Sequence, residues 1–110
     1  MVYDLLIVRE RDFLKFTEKL DKDSKSRLVR DIAFLKEFGV GLQMPFAKKV
    51  NKDLWELRTS GKQRVRVLYS IRGRQIYVLC WFIKKTRKIP TKEIQTALKR
   101  CISSDTYWTH

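Results

Sequence analysis

Apolar positions along this chain follow two different periods, and the change from one to the other marks its elements. Val2–Val8 is a short apolar run of strand character. From Arg11 to Leu20, Phe13, Phe16, Thr17 and Leu20 recur at i, i+3, i+4 and i+7 with Arg, Lys and Glu between them, which predicts an amphipathic helix. Asp21-Lys-Asp-Ser24 supplies turn and N-cap side chains, and Leu28, Ile32 and Leu35 carry a second helical stripe to Phe38, where Gly39 suits a C-cap. The two helices are expected to pair as an antiparallel hairpin. Val40–Asn51 contains Gly and Pro without any period and reads as a loop.

Period-2 runs then return. Leu54–Arg58, Arg64–Ile71 and Gln75–Ile83 are expected to form an antiparallel meander, split by Thr59–Gln63 and by a turn at Arg72-Gly73-Arg74. The third strand is apolar on both faces, so it should be covered on each side. Pro90 opens a last helix with Ile94, Ala97, Leu98 and Cys101 on one face and Thr91 as its candidate N-cap, while Ser103–His110 shows no clear element. The order β-α-α-β-β-β-α predicts an α+β fold over 1–110, an antiparallel sheet with a helix hairpin on one side and a C-terminal helix.

Strand parity sorts the charges. Burying Trp55 and Leu57 with Val65 and Val67 puts Glu56, Arg58, Arg64 and Arg66 together on the other face. If Thr59–Gln63 is a five-residue loop, Arg58 falls opposite Arg64 and Glu56 opposite Arg66. Like charges directly opposite cost roughly 0.2–1 kcal/mol, so an anion between them is the natural way to relieve the pair. With a three-residue turn at Arg72–Arg74, Cys80, Phe82 and Lys84 join the face of Arg66; a different turn would bring Lys85 there instead. Trp55, Tyr69, Tyr77 and Trp81 are read as core rather than as base-stacking platforms.

Composition gives that face a partner. Lys and Arg total 25 against 12 Asp and Glu, a formal charge of +13, and a small basic domain commonly meets phosphate. The run Lys84-Lys85-Thr86-Arg87-Lys88 leaves the sheet at the edge of the same surface. No segment reaches the roughly 20 apolar residues of a membrane span, and the chain is expected to be cytoplasmic, with no membrane partner. Cys80 and Cys101 lie far apart without other ligands nearby, and His110 is the sole histidine, so neither a metal nor a cofactor is expected.

The residues LWELR (54–58), RVRVLY (64–69), FIKKT (82–86) and PTKEIQTALKR (90–100) resemble the RelE/ParE superfamily of bacterial toxins, closest to its HigB-like, phage-derived branch. The resemblance covers nearly the whole chain. It implies the toxin of a type II toxin–antitoxin pair: a ribosome-dependent mRNA endonuclease acting at the 70S ribosome and neutralised by a cognate antitoxin, often of helix-turn-helix type. It places Glu56, Arg58, Arg66, Lys84 and Lys85 in the active cleft. Such cleavage requires a base for the 2′-hydroxyl, cations for the phosphate and an acid for the leaving 5′-oxygen. Arg58 and Arg66 suit the phosphate. Glu56 is the preferred base, with Lys85 or Lys84 second, although Glu56 could equally act by positioning Arg66. Arg64, Thr86, Arg87, Lys88, Lys48, Lys49, Lys99 and Arg100 are expected to add RNA or ribosome contacts. A second reading keeps the basic sheet without the chemistry: a non-catalytic toxin or binding module acting on gyrase or nucleic acid.

Overall fold

The computed structural model describes residues 2–108, with side chains for 2–101. It is α+β: three α-helices and a five-stranded, mostly antiparallel sheet. The first strand, β1 (Asp4–Ile7), leads into α1 (Glu10–Glu18) and α2 (Lys22–Phe38). After a short 3-10 turn at Gly39–Gly41 come β2 (Ala47–Lys49), β3 (Trp55–Arg58), β4 (Val65–Arg72) and β5 (Gln75–Ile83), and α3 (Thr91–Trp108) closes the order. The strands lie in the sequence β1-β5-β4-β3-β2, with β1 parallel to β5 and every other pair antiparallel.

The helical stripes behave as their periods require. Phe13, Thr17 and Leu20 of the first and Leu28 and Leu35 of the second are buried, in one cluster with Leu57, Val65, Val67 and Tyr69 of the sheet. Asp21 caps α2, its carboxylate accepting from the Ser24 amide at 2.7 Å. Gly39 ends α2 at φ 52°, and a Cβ there would overlap the Tyr3 ring, so both backbone and packing require glycine. On the opposite face Leu68, Tyr77, Leu79, Cys80 and Phe82 pack with Ala97 and Cys101 of α3. Sheet β5 is thus covered on both sides, and Trp55, Tyr69 and Trp81 pack with the hairpin cluster while Tyr77 packs under α3.

Five details depart from the sequence reading. Ala47–Lys49, read as loop, is an edge strand paired with β3; three residues ending in Lys-Lys are too short and polar to show a period. The last helix runs on to Trp108 through part of the segment read as shapeless. Residues 109 and 110, with His110, lie outside the described residues. Thr91 is not the cap of α3: the Pro90 carbonyl accepts from the Glu93 amide, which makes Thr91 the first helical residue.

The fourth is a register. Arg58 faces Arg66, not Arg64, and Glu56 faces Leu68, not Arg66, because the loop is displaced by one residue: Thr59 extends the ladder through its amide to Val65 O (3.1 Å). The loop is tied to α2. Arg27 donates to the Ser60 hydroxyl (3.0 Å), and Gln63 Oε1 accepts from the Asp21 amide (2.8 Å). These tertiary bonds select the register, and local strand patterning carries no trace of them.

The β4–β5 turn holds two residues, Gly73 and Arg74, since Arg72 pairs with Gln75. Alone, that would send Cys80, Phe82 and Lys84 to the wrong face. A β-bulge at Leu79, between the pairs Tyr69–Val78 and Leu68–Cys80, restores the parity, so Phe82 still faces Arg66.

Candidate functional site

On the α3 side of the sheet, the end formed by β2, β3 and β4 collects the charged residues. Register places Lys48 beside Glu56 and Arg58 beside Arg66. Glu56 is 3 % exposed and Arg66 8 % exposed, yet both are polar. The carboxylate sits between two guanidiniums, with Oε2 3.7 Å from Arg66 Nε and Oε1 3.9 Å from Arg58 Nε. Both distances exceed a good charge-assisted hydrogen bond. Glu56 Oε2 and Arg66 Nε therefore have no hydrogen-bond partner although they are buried.

Arg66 is held from its other end. Its Nη1 donates to the carbonyls of Thr59 (3.1 Å) and Val65 (2.9 Å). Burial pushes its guanidinium below the usual range, Glu56 opposes that shift, and Arg58 and Arg64 add to it. Arg58 is 30 % exposed, and its Nη1 donates to Met44 Sδ at 3.6 Å. Buried polar atoms without partners are scarce in folded proteins and cluster where a ligand completes them.

Glu56 opens into a cleft of about 370 Å³. One wall is Lys48, Lys49 and Val50; the other is the segment after β5, with Lys84, Arg87, Lys88 and Ile89, backed by Ile94 of α3. Glu56 is the sole acid among the residues lining it. Lys84 is tethered, its amide donating to Arg64 O at 2.8 Å. A smaller hollow of about 200 Å³ is lined by Pro45, Arg58, Thr59, Ser60 and Arg66, so the two arginines open into it while Glu56 opens into the cleft.

The expected residues separate into groups. Glu56, Arg58, Arg66 and Lys84 come together, with Lys48, Arg87 and Lys88 around them. Lys85 and Thr86 do not line either hollow; both are exposed, and Thr86 Oγ1 donates to Lys88 O (2.8 Å), shaping the turn. Lys49 also lines the cleft, but its ammonium turns to the hairpin face, 5.5 Å from the Trp55 ring centroid. Arg64 is exposed opposite Lys84, and Lys99 is exposed on α3. Arg100 is structural: Nη1 donates to Leu79 O at the bulge (2.8 Å) and the guanidinium covers Trp81 at 5.5 Å. Sequence reasoning missed Thr59 and Ser60. Their one signal is position, two hydroxyls directly after a strand arginine.

Cys80 lies near this surface but is a poor nucleophile. Burial pushes its thiol up to about 12, and Glu93, 3.7 Å from the sulfur, reinforces the shift.

With geometry and charge in place, comparison with known families is decisive about class. Residues 15–101 match the family described as phage derived protein Gp49-like (DUF891). The chain belongs to that Gp49-like family, which is a RelE-type, toxin-like family of toxin–antitoxin systems. No curated protein matches it.

Proposed function

We propose that this chain is the toxin of a type II toxin–antitoxin pair, of the HigB-like branch, and cleaves mRNA on the ribosome. The observation that carries the reading is the Glu56–Arg58–Arg66 group, in which Glu56 and Arg66 are buried with unused hydrogen-bonding capacity and Glu56 opens into a cationic cleft. In this reading Glu56 takes the proton of a ribose 2′-hydroxyl. The 2′-oxygen then bonds to phosphorus, the bond from phosphorus to the 5′-oxygen breaks, and the products are a 2′,3′-cyclic phosphate and a 5′-hydroxyl. Arg58 and Arg66 meet the charge that grows on the phosphate. Lys84, which shares the cleft with Glu56, supplies the proton to the departing 5′-oxygen. Lys48, Arg87 and Lys88 hold the flanking chain through its phosphates.

The antitoxin, of helix-turn-helix type, would neutralise the toxin by laying an acidic segment across the same cations. The test is primer extension on mRNA incubated with programmed ribosomes and, separately, without them. The expected result is cleavage on ribosomes only, reduced roughly 10²–10⁴-fold in Glu56→Gln and roughly 10²–10³-fold in Arg58→Ala. Folded wild-type protein that arrests growth without cleaving RNA in either setting would instead support a non-catalytic poison.

A further inference from the structure

The hollow lined by the arginine pair is built for an anion. Its lining contains two guanidiniums, two hydroxyl side chains and Pro45, and no acid. Thr59 is the unusual member: 1 % exposed, with Oγ1 buried and without a hydrogen-bond partner. A buried hydroxyl without a partner is a cost to the fold that valine, of the same shape, would not incur. Arg66 Nε, without a hydrogen bond, faces Glu56 Oε2 at 3.7 Å, while its Nη1 is fixed on Thr59 O and Val65 O, which aligns the guanidinium rigidly. Ser60 is positioned by Arg27 Nη1, whose bond to Ser60 Oγ leaves the hydroxyl proton available. Glu56 lines the cleft and not this hollow, whereas both arginines line the hollow and not the cleft, so the hollow is a separate place where their charge meets no acid among the described lining residues.

We infer that this hollow is a second phosphate subsite, which takes a phosphodiester of the RNA next to the one cleaved and reads it through Thr59 Oγ1, Ser60 Oγ and the guanidiniums of Arg58 and Arg66. The inference rests on the reading of the neighbouring cleft as a seat for RNA. It does not require that cleavage occur. Two sources share the chemistry: a phosphate within a nucleotide chain and free inorganic phosphate. Thr59 positions and selects the phosphate and takes no part in bond making.

The test measures binding of uncleavable 2′-fluoro oligonucleotides, two to six nucleotides long, to the full chain by fluorescence anisotropy, with wild type, Thr59→Val, Thr59→Ser and Ser60→Ala. At one step in the series an added phosphate should raise wild-type affinity about tenfold. That increment should vanish in Thr59→Val, return in Thr59→Ser and shrink in Ser60→Ala. The melting temperature of Thr59→Val should equal or exceed that of wild type, because the lost hydroxyl has no partner; a clear fall would assign Thr59 a structural bond and overturn the inference. An increment unchanged in Thr59→Val would overturn it too. So would an inorganic phosphate that shifts the Thr59 amide resonance while no oligonucleotide does, which would make the hollow a free-anion site. If Thr59-dependent binding is seen but no RNA is ever cut, the subsite stands and the nuclease reading falls.

Discussion

At the scale of single residues, Glu56 has two jobs that one substitution separates. Its carboxylate is the only negative group between Arg58 and Arg66 among the described residues lining the cleft, and neither ion pair is short. Glu56→Gln should destabilise the free protein by on the order of 3 kcal/mol, since two guanidiniums are then left facing each other. Phosphate added to that variant should raise its melting temperature more than it raises wild type's, because the missing internal anion is replaced from solution. Equal shifts would mean that Glu56 does not screen the pair. Cys80 gives a pH signature. Its thiol is pushed up to about 12, above the ordinary value of 9.0, so folding favours the neutral form. The stability tied to that preference is complete below pH 9 and is lost as pH rises toward 12. A Cys80→Ala variant should lose less stability than wild type across that window in urea titrations. The charged set itself was legible from parity, since Glu56, Arg58 and Arg66 share a face whatever the register. Thr59 was not, because its meaning lies in a partner that is missing.

At the scale of elements, the start of α2 links fold and site. Asp21 caps the helix, and the same turn holds the loop whose position sets Arg58 opposite Arg66. The Ser24 amide and hydroxyl hold the Asp21 carboxyl below its usual value. A lowered pKa means that the cap contributes above the unfolded value and fades as pH falls through the folded one. Asp21→Ala should therefore lower the melting temperature at pH 7 and make no difference at pH 2, while Asp21→Asn should keep most of the cap at both. Calorimetry at the two pH values checks this. The helices and four of the five strands were readable because their apolar residues form helical stripes, alternating runs or short continuous apolar runs. The edge strand β2 and the one-residue loop displacement were not, because one is too short for a period and the other is set by Arg27 and Gln63 across the fold.

At the scale of the whole molecule, the charge of +13 is spread widely but is not all available. Lys49 lies against Trp55 on the hairpin side, and Arg100 holds the bulge. Affinity for single-stranded RNA should fall with salt, each phosphate contact adding about 0.7 to the log–log slope. Lys48→Ala and Arg87→Ala should each reduce that slope by about this amount. Arg100→Ala should leave it unchanged and lower the melting temperature instead. A slope that responds to Arg100 as it does to Lys48 would return Arg100 to the binding surface. Among the described residues no helix is long and apolar enough to cross a membrane.

The bulge at Leu79 has a consequence for kinship. A two-residue turn with a bulge and a three-residue turn without one deliver the same side chains to the same face. Deleting Leu79 alone should leave Phe82 opposite Arg66 and Lys84 on the side of Glu56, with the bulge replaced by a uniform ladder. Adding one residue between Gly73 and Arg74 in that deleted chain should lengthen the turn to three residues and leave the same side chains on the same face. Relatives that carry this cleft are therefore free to differ in length at two places at once, a gap in the hairpin tip matched by an insertion six residues later. An alignment that penalises both gaps will misplace only the residues between the hairpin tip and Leu79, because the two changes cancel and the cations beyond β5 stay in step.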